Sequence, residues 1–390
     1  MIPPFEEQLR TAARKAGLDP HDGPAMLAHL PYDQEYALKA EVAYGFLKAL
    51  APREGLRPLV AATMPRAYRS TSRRRVWRDR RGTRLVHGDL HTSSAGDALE
   101  PESHLRIYQR LGRFLLSTRD PLVDVLNHVI VRGTYEEQAL ILNVTELSAE
   151  IIRSARAWAR AATKEVPTLT SCWMYVDPKG SRYYLDTDRP LRGMSEKKIT
   201  GERAWRQTIG SVTYQVGVFS FSQVNLAMVP ALIDTVATLA DVQATDVLAD
   251  LYGGYGLFGA AMAMQAQAVI TMDSDDATVD NARYNIRRAG GTVKAIAMPV
   301  TPANVRKVIE RADVVVLDPP RAGTDPGVIG AVAELRPRRV VHVFCGPDEI
   351  RRSLAEWKTA GYRVATIVPL DMFPGTAGLE VVVALEPSAP

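Results

Sequence analysis

Beyond about residue 220 the chain repeats one pattern: a short apolar run, then a longer stretch whose apolar positions return every three to four residues. The runs fall at 246–251 (DVLADL), 268–272 (AVITM), 293–297 (VKAIA), 313–317 (DVVVL), 339–344 (RVVHVF) and 363–368 (RVATIV), with helical spacing over 275–289 and 347–360. This alternation predicts an α/β fold with a mostly parallel sheet covered on both faces and ligands beyond the strands' C-terminal ends. The earlier part is patterned differently. Residues 5–16 and 36–50 have helical spacing, whereas 73–79 and 83–89 flank Arg80-Arg81-Gly82 as a hairpin, and 128–133 with 139–144 form a second strand pair. Helical patterns fill 103–117 and 147–163, and strands at 173–176 and 182–185 bracket a turn at 177–180. The expected organisation is therefore a helical segment over 1–60, an α+β region over 61–215 and the α/β domain over 216–390.

Composition narrows the class. A chain of 390 residues with 46% hydrophobic and 24% charged residues is an ordinary globular protein of more than one domain. Its two cysteines, Cys172 and Cys345, are too few for a disulfide framework, a four-cysteine metal site or an iron–sulfur cluster. No metal is expected, and so sparse a use of cysteine makes the reducing cytoplasm the expected compartment; the N-terminus MIPPFEEQLRTAARKAG, charged throughout, does not read as a signal peptide. The uncharged stretch 251–272 carries four glycines and two glutamines and reads as a strand, a turn and a buried helix rather than a membrane span. A monomer is expected.

Charge is divided unevenly. Residues 216–390 carry 15 Lys and Arg against 19 Asp and Glu, so of the totals of 48 and 44 the first 215 residues hold 33 and 25, a net of +8. Within 66–84 (RAYRSTSRRRVWRDRRGTR) stand nine arginines and one acid, Asp79. Guanidinium groups fork onto phosphate, and Tyr68 and Trp77 offer rings for stacking, so this segment points to RNA, against the plainer reading of a solvated arginine hairpin.

Three motifs sit at strand ends of the α/β part. In DLYGGYGLFG (250–259), glycines at 254 and 256 let backbone approach a ligand, and Asp273 closes the next strand as an acceptor for ribose hydroxyls. That pattern alone fits a dinucleotide, ATP or S-adenosylmethionine. Asp318-Pro319-Pro320-Arg321 holds a carboxylate on a stiff loop. Cys345, before Gly346-Pro347, is a candidate nucleophile that a helix start there would favour as thiolate, and Glu380 is a candidate base. His342, three positions back on a strand, points to the opposite face and is read as a structural histidine.

The ordered set FSQVN (221–225), DLYGGYGLFG, Asp273, VDNARYNI (279–286), DPPRAGTDP (318–326), FCGP and DMFPGTAGLE resembles the bacterial RNA uracil-C5-methyltransferases, which make 5-methyluridine in tRNA and rRNA. The basic segment YRSTSRRRVWRD resembles, more loosely, a strand of that family's RNA-binding half. The resemblance implies a class I, Rossmann-like S-adenosylmethionine-dependent methyltransferase domain preceded by an α+β RNA-binding region. It implies Cys345 as the nucleophile that adds to C6 of uracil and Glu380 as the base that removes the C5 proton. It further implies Gln223, Tyr252, Gly254, Gly256, Asp273 and Asp318 around S-adenosylmethionine, and Arg321, Tyr68, Arg69, Arg73 and Arg75 toward tRNA or rRNA. Asn225 would support the Gln223 loop.

Three positions depart from the family pattern: Gly346 where it has Asn, Gly253 where it has Cys, and Gly378-Leu379 where a histidine or similar polar residue precedes the base. They suggest a divergent subgroup with its own RNA target. The alternative from another class is a non-catalytic RNA-binding protein on the same scaffold. A methyltransferase of small molecules is disfavoured by the arginine segment.

Overall fold

A computed structural model describes residues 3–80, 82–87, 98–117, 120–177 and 196–388. Contacts divide the chain into two compact units, Met1–Arg66 with Arg206–Pro390, and Ala67–Trp205. The N-terminal helical segment thus belongs with the C-terminal α/β part. Helix α1 (Phe5–Lys15) buries Phe5, Leu9 and Ala13, one residue per turn, and sets Glu6 and Glu7 at its start and Arg14 and Lys15 at its end, where the helix dipole favours them. Helix α2 (Tyr32–Leu47) is different: its buried face carries Glu35 and Lys39 beside Leu38, Ala43 and Phe46.

The second unit is a six-stranded sheet with helices on one face. In chain order it comprises β1 (Thr71–Asp79), β2 (Gly82–Val86), α3 (Glu102–Ser117), α4 (Pro121–Val125), β3 (Leu126–Gly133), β4 (Gln138–Val144), α5 (Ala149–Glu165), β5 (Leu169–Val176) and β6 (Glu196–Thr200). The strands lie in the order β2-β1-β3-β4-β5-β6. Val76, Val129, Val131, Leu140, Leu142, Cys172 and Met174 meet Ile107, Leu111, Ile151 and Trp158 of the helices in one core. Ser148 caps α5 by accepting from the Ile151 N–H at 3.2 Å. The turn and strand expected at 177–185 lie beyond Asp177 outside the described residues, as do Arg81 and 88–89 of the expected first hairpin.

A hairpin of β7 (Ala204–Ile209) and β8 (Val212–Gly217), not expected from the sequence, leads into the large sheet. There follow α6 (Val229–Ala240), β9 (Val247–Leu251), α7 (Leu257–Ala261), β10 (Ala268–Asp273), α8 (Asp276–Arg288), β11 (Val293–Ala297), α9 (Pro302–Val308), β12 (Val314–Leu317), α10 (Val328–Glu334), β13 (Arg339–Phe344), α11 (Ile350–Thr359), β14 (Tyr362–Leu370) and β15 (Glu380–Pro387). The sheet order is β11-β10-β9-β12-β13-β15-β14. β9 to β13 are parallel, while β15 runs antiparallel between β13 and β14. The six apolar runs fall on β9 to β14, and the strand reversal from β9 out to β12 creates the crevice where such sheets bind ligands. β15 was read only as a motif, and its direction decides the site: an antiparallel strand brings its first residue to the end where the parallel strands finish.

Candidate active site

Register alone gathers the candidate residues. Phe344 of β13 pairs with Val381 of β15, so one step beyond the ladder Cys345 and Glu380 come opposite each other. Leu317 of β12 pairs with Leu251 of β9, which puts Asp318 beside the 252–256 loop, and the Asp318 N–H donates to the Leu251 carbonyl at 3.3 Å. The Cys345 Sγ lies 3.9 Å from the Pro319 carbonyl oxygen. Cys345, Glu380, Asp318 and Arg321 are close enough to act on one another's charge.

The loop after β9 is held by backbone. Gly254, at φ +53° with nothing within 4 Å of where a Cβ would stand, gives its N–H to Asp273 Oδ2 at 3.0 Å, and the other Asp273 oxygen accepts from Asp275 N at 3.3 Å. Gly256, at φ +79°, lies against Ala282 of α8, where a Cβ would come within 3.0 Å of the helix backbone. Tyr252 adopts φ +59°, a left-handed conformation that costs a residue with a Cβ of order 1 kcal/mol and concentrates at ligand sites. The helix that follows the loop, α7, has only five residues.

Beneath the loop lies a residue that sequence reading did not assign. Asp250 is wholly buried; its Oδ2 accepts the Gly259 N–H at 2.9 Å, while its Oδ1 has no hydrogen-bond partner among the described residues. Thr271, its register partner on β10, is likewise buried with an unpartnered Oγ1, and so is Glu380 Oε2. The cue was an acid inside an otherwise apolar strand.

This site has more buried acceptors than donors, and the electrostatics follow. Burial, with help from the Asp273 charge, pushes Asp250 up to about 7. Burial and Asp250 push Asp318, which is partly accessible, up to about 7 as well. Glu380 rises above the carboxylate range through burial and Asp318, with exposed Arg321 opposing. Burial, then Glu380 and Asp318, push Cys345 up to about 12. A helix does start just after Cys345, as Pro347–Glu349 form a 3-10 turn that runs directly into α11, but burial and the neighbouring carboxyls push the thiol upward against it. A cation bound here lowers all four values, so the acceptor surplus fits a positively charged ligand.

Gln223 and Asn225 are buried, and the Asn225 amide donates to the Met372 carbonyl at 3.0 Å, tying the FSQVN loop to the loop before β15. His342 is buried and accepts from the Trp357 indole N–H at 3.1 Å; burial pushes it down to about 3, so it is a neutral structural group. Two departures have local explanations. A side chain at Gly253 would meet Thr271 Oγ1 at 2.4 Å, and one at Gly378 would meet the Phe373 ring at 2.9 Å. At Gly346, beside Cys345, there is nothing within 4 Å.

In the second unit, Tyr68 is fully buried, which corrects its assignment as a stacking surface. Along β1 the period of two sorts the arginines: Arg74 points inward and forks onto Glu100 at 2.8 and 2.5 Å, whereas Arg73 is half-buried and Arg75 exposed, 5.8 Å from the Trp77 ring centre. Arg78 donates to the carbonyls of Val123 and Leu126, and Arg69 is half-buried. Outward charge is thus smaller than the sequence implied. Among the described residues no helix is long and apolar enough to cross a membrane, and no group of three or more metal-ligating side chains is present.

Residues 210–332 match the family model described as a methyltransferase small domain. The chain is 28% identical over 391 aligned positions to an uncharacterized RNA methyltransferase of Lactobacillus johnsonii, covering 93% of this chain and 82% of that protein. It is 30% identical to one of Thermotoga maritima over 67% of this chain and 57% of the relative, and 33% identical to one of Streptomyces coelicolor over 63% and 56%. The last two matches span less than two thirds of the relatives' length. Among solved structures, that of the Pyrococcus abyssi tRNA (uracil-54, C5)-methyltransferase in complex with S-adenosyl-L-homocysteine has a TM-score of 0.68 at 22% identity, covering 93% of this chain and 85% of that one. At that identity the likeness is one of fold. The methyltransferase fold and the resemblance to RNA methyltransferases both stand.

Proposed function

We propose that this chain, whose relatives are named RNA methyltransferases and which has a methyltransferase fold, methylates C5 of a uridine in tRNA or rRNA through a covalent cysteine adduct. The observation that carries the reading is the meeting of Cys345 and Glu380 just beyond the β13–β15 ladder, with Asp318 and Arg321 beside them. Uracil C5 is a poor nucleophile. Once the Cys345 thiol has given up its proton to solvent, addition of the thiolate to C6 moves electron density onto C5 as an enolate, the form that accepts a methyl group. Glu380 then takes the C5 proton, the C5–H electron pair becomes the C5=C6 double bond, and the thiolate departs.

S-adenosylmethionine, when bound, supplies an electrophilic methyl group on a cationic sulfur. The unpartnered buried carboxyl oxygens of Asp250 and Glu380, with the partly accessible Asp318 carboxyl, suit that charge, and Asp273, fixed by the Gly254 N–H, suits the ribose. Gln223, buried in the FSQVN loop, and Tyr252, strained at the end of β9, are the further side chains assigned to S-adenosylmethionine. To act as the base Glu380 must be ionised, and a cation bound beside it would favour that form over the protonated one that burial and Asp318 favour. Exposed Arg75 and Arg321 are the guanidinium groups most open to RNA phosphate, with half-buried Arg69 and Arg73 as further candidates.

The test is mass spectrometry of digested tRNA and rRNA from cells with and without the gene. Loss of 5-methyluridine at a mapped position, restored by wild type and not by Cys345→Ala, is the expected result. Unchanged 5-methyluridine in both pools would favour the non-catalytic RNA-binding reading.

A further inference from the structure

Helix α2 carries an unusual set of charges for a buried face. Glu35 and Lys39 are fully buried, and so is Asp371 in the nine-residue loop 371–379 that joins β14 to β15. The Lys39 ammonium donates to Asp371 Oδ1 at 2.5 Å and to the Phe373 carbonyl at 3.2 Å. Glu35 accepts the Gly375 N–H through one oxygen and Arg66 through the other, at 2.9 Å. The Tyr32 hydroxyl donates to Asp371 Oδ2 at 3.1 Å and accepts the Ala62 N–H at 2.5 Å. Leu27 N–H meets the Gly375 carbonyl at 3.0 Å, and on the other side Asn225 holds the Met372 carbonyl.

Each of these contacts on the loop is made by Asn225 or by a residue more than 300 positions away, and the loop runs directly into Glu380, the first residue of β15. Buried ion pairs are poor sources of net stability, because desolvation offsets most of the attraction, so an apolar helix face would hold the unit together at least as well. What charges add is a fixed geometry for the groups they bind. We propose that Glu35 and Lys39 are positioning residues for Glu380: helix α2 clamps the 371–379 loop, and the clamp sets the base against C5. The inference rests on the reading of Glu380 as the base that completes the reaction.

Its signature is specific to one step. If the clamp positions the base, loosening it leaves addition of Cys345 and methylation of C5 intact but slows proton removal and elimination, so a methylated RNA–protein adduct accumulates. The experiment compares wild type, Glu380→Gln, Tyr32→Phe and the charge-neutral double variant Lys39→Met/Asp371→Asn. Each is incubated with tRNA and rRNA from cells lacking the gene and S-adenosylmethionine labelled in the methyl group, and label is read both as 5-methyluridine and as adduct on a denaturing gel. The double variant leaves no uncompensated charge from this pair, and its melting temperature reports folding separately. The expected result is a folded double variant with turnover lowered on the order of 10²-fold and labelled adduct accumulating as in Glu380→Gln, with Tyr32→Phe showing a smaller change in the same direction. A folded double variant that turns over at the wild-type rate without adduct overturns the inference, since the β14–β15 register then suffices to place Glu380. Loss of turnover with no adduct in the double variant, while Glu380→Gln accumulates it, also overturns it. Wild type that transfers no methyl to either RNA pool removes the functional reading itself, a result distinct from the other two.

Discussion

Two clusters of buried charge among the described residues of the α/β unit, one around Lys39 and one around Cys345, are built on opposite principles. Around Lys39 each carboxylate has a cation and hydrogen bonds from backbone, lysine or tyrosine. Around Cys345 the Asp318 carboxyl raises Glu380 and both raise the thiol, Asp250 acts on Asp318, Arg321 opposes only at Glu380 and Cys345, and unpartnered oxygens remain on Asp250 and Glu380 among the described residues. Glu100 in the second unit resembles the first kind: burial pushes it up, but hydrogen bonds from His87 and Arg74 outweigh burial and bring it down to about 2. The difference teaches how to separate architecture from chemistry. Paired charges fix geometry, whereas unpaired ones leave energy to be recovered when a ligand of opposite charge arrives.

The sharpest way to break this comparison is at Asp318. Because the folded protein holds its proton more tightly than the unfolded chain, with a value near 7 against an ordinary 3.8, stability is full at low pH and is lost as pH rises through about 7. Asp318→Asn is expected to lower methyl transfer by roughly 10²-fold or more yet raise the melting temperature at pH 8, with a smaller gain at pH 5. Scans at both values check it, and a loss of stability at pH 8 would place Asp318 among the paired, structural charges. Glu100 has the reverse sign: its stability is present above the ordinary value near 4.5 and is lost as pH falls through about 2.

Neighbouring arginines on β1 extend the comparison. Removing Arg74 leaves Glu100 buried without its fork, so Arg74→Ala is expected to destabilise by about 3–5 kcal/mol, read by denaturant unfolding. Arg75→Ala is expected to leave stability unchanged and to reduce the salt dependence of RNA binding by about 0.7–0.9 in log–log slope, one phosphate contact. Equal effects of the two would dissolve the inward and outward assignment.

The glycine replacements give smaller effects. Gly253→Ala places a methyl 2.4 Å from Thr271 Oγ1 and is expected to cost about 1–3 kcal/mol, most of it returned in the double variant with Thr271→Ala, as a thermodynamic cycle would measure. Gly346→Asn meets open space on extended backbone at φ −157°, so its stability change is expected within about 0.5 kcal/mol. Any change in methylation then reports on the RNA beside Cys345 rather than on folding.

Much of this was legible before any coordinates. β9 to β14 are apolar runs bounded by glycine, proline or acid, and their strand identity follows from composition alone. The direction of β15 is not in its residues, since EVVVALEP suits either orientation, and it is that direction which brings Glu380 to Cys345. The clamp was illegible for a similar reason: the i, i+4 spacing of Glu35 and Lys39 is equally that of an exposed pair, and only the packing of α2 on residues 371–375 buries them. The arginine segment was over-read because its charge was counted without the strand period, although Val76 on the inward face already marked Ser72 and Arg74 as its companions.

The most direct test of the central claim is a covalent trap. RNA carrying 5-fluorouridine presents fluorine where Glu380 would take a proton, so after addition of Cys345 and methylation the adduct has no route to elimination. Incubated with such tRNA or rRNA and S-adenosylmethionine, wild type is predicted to shift on a denaturing gel as an RNA–protein conjugate whose digest maps to Cys345, while Cys345→Ala stays unshifted. A wild-type enzyme that forms 5-methyluridine on ordinary RNA yet gives no conjugate, or gives one equally with Cys345→Ala, would contradict Cys345 as the nucleophile.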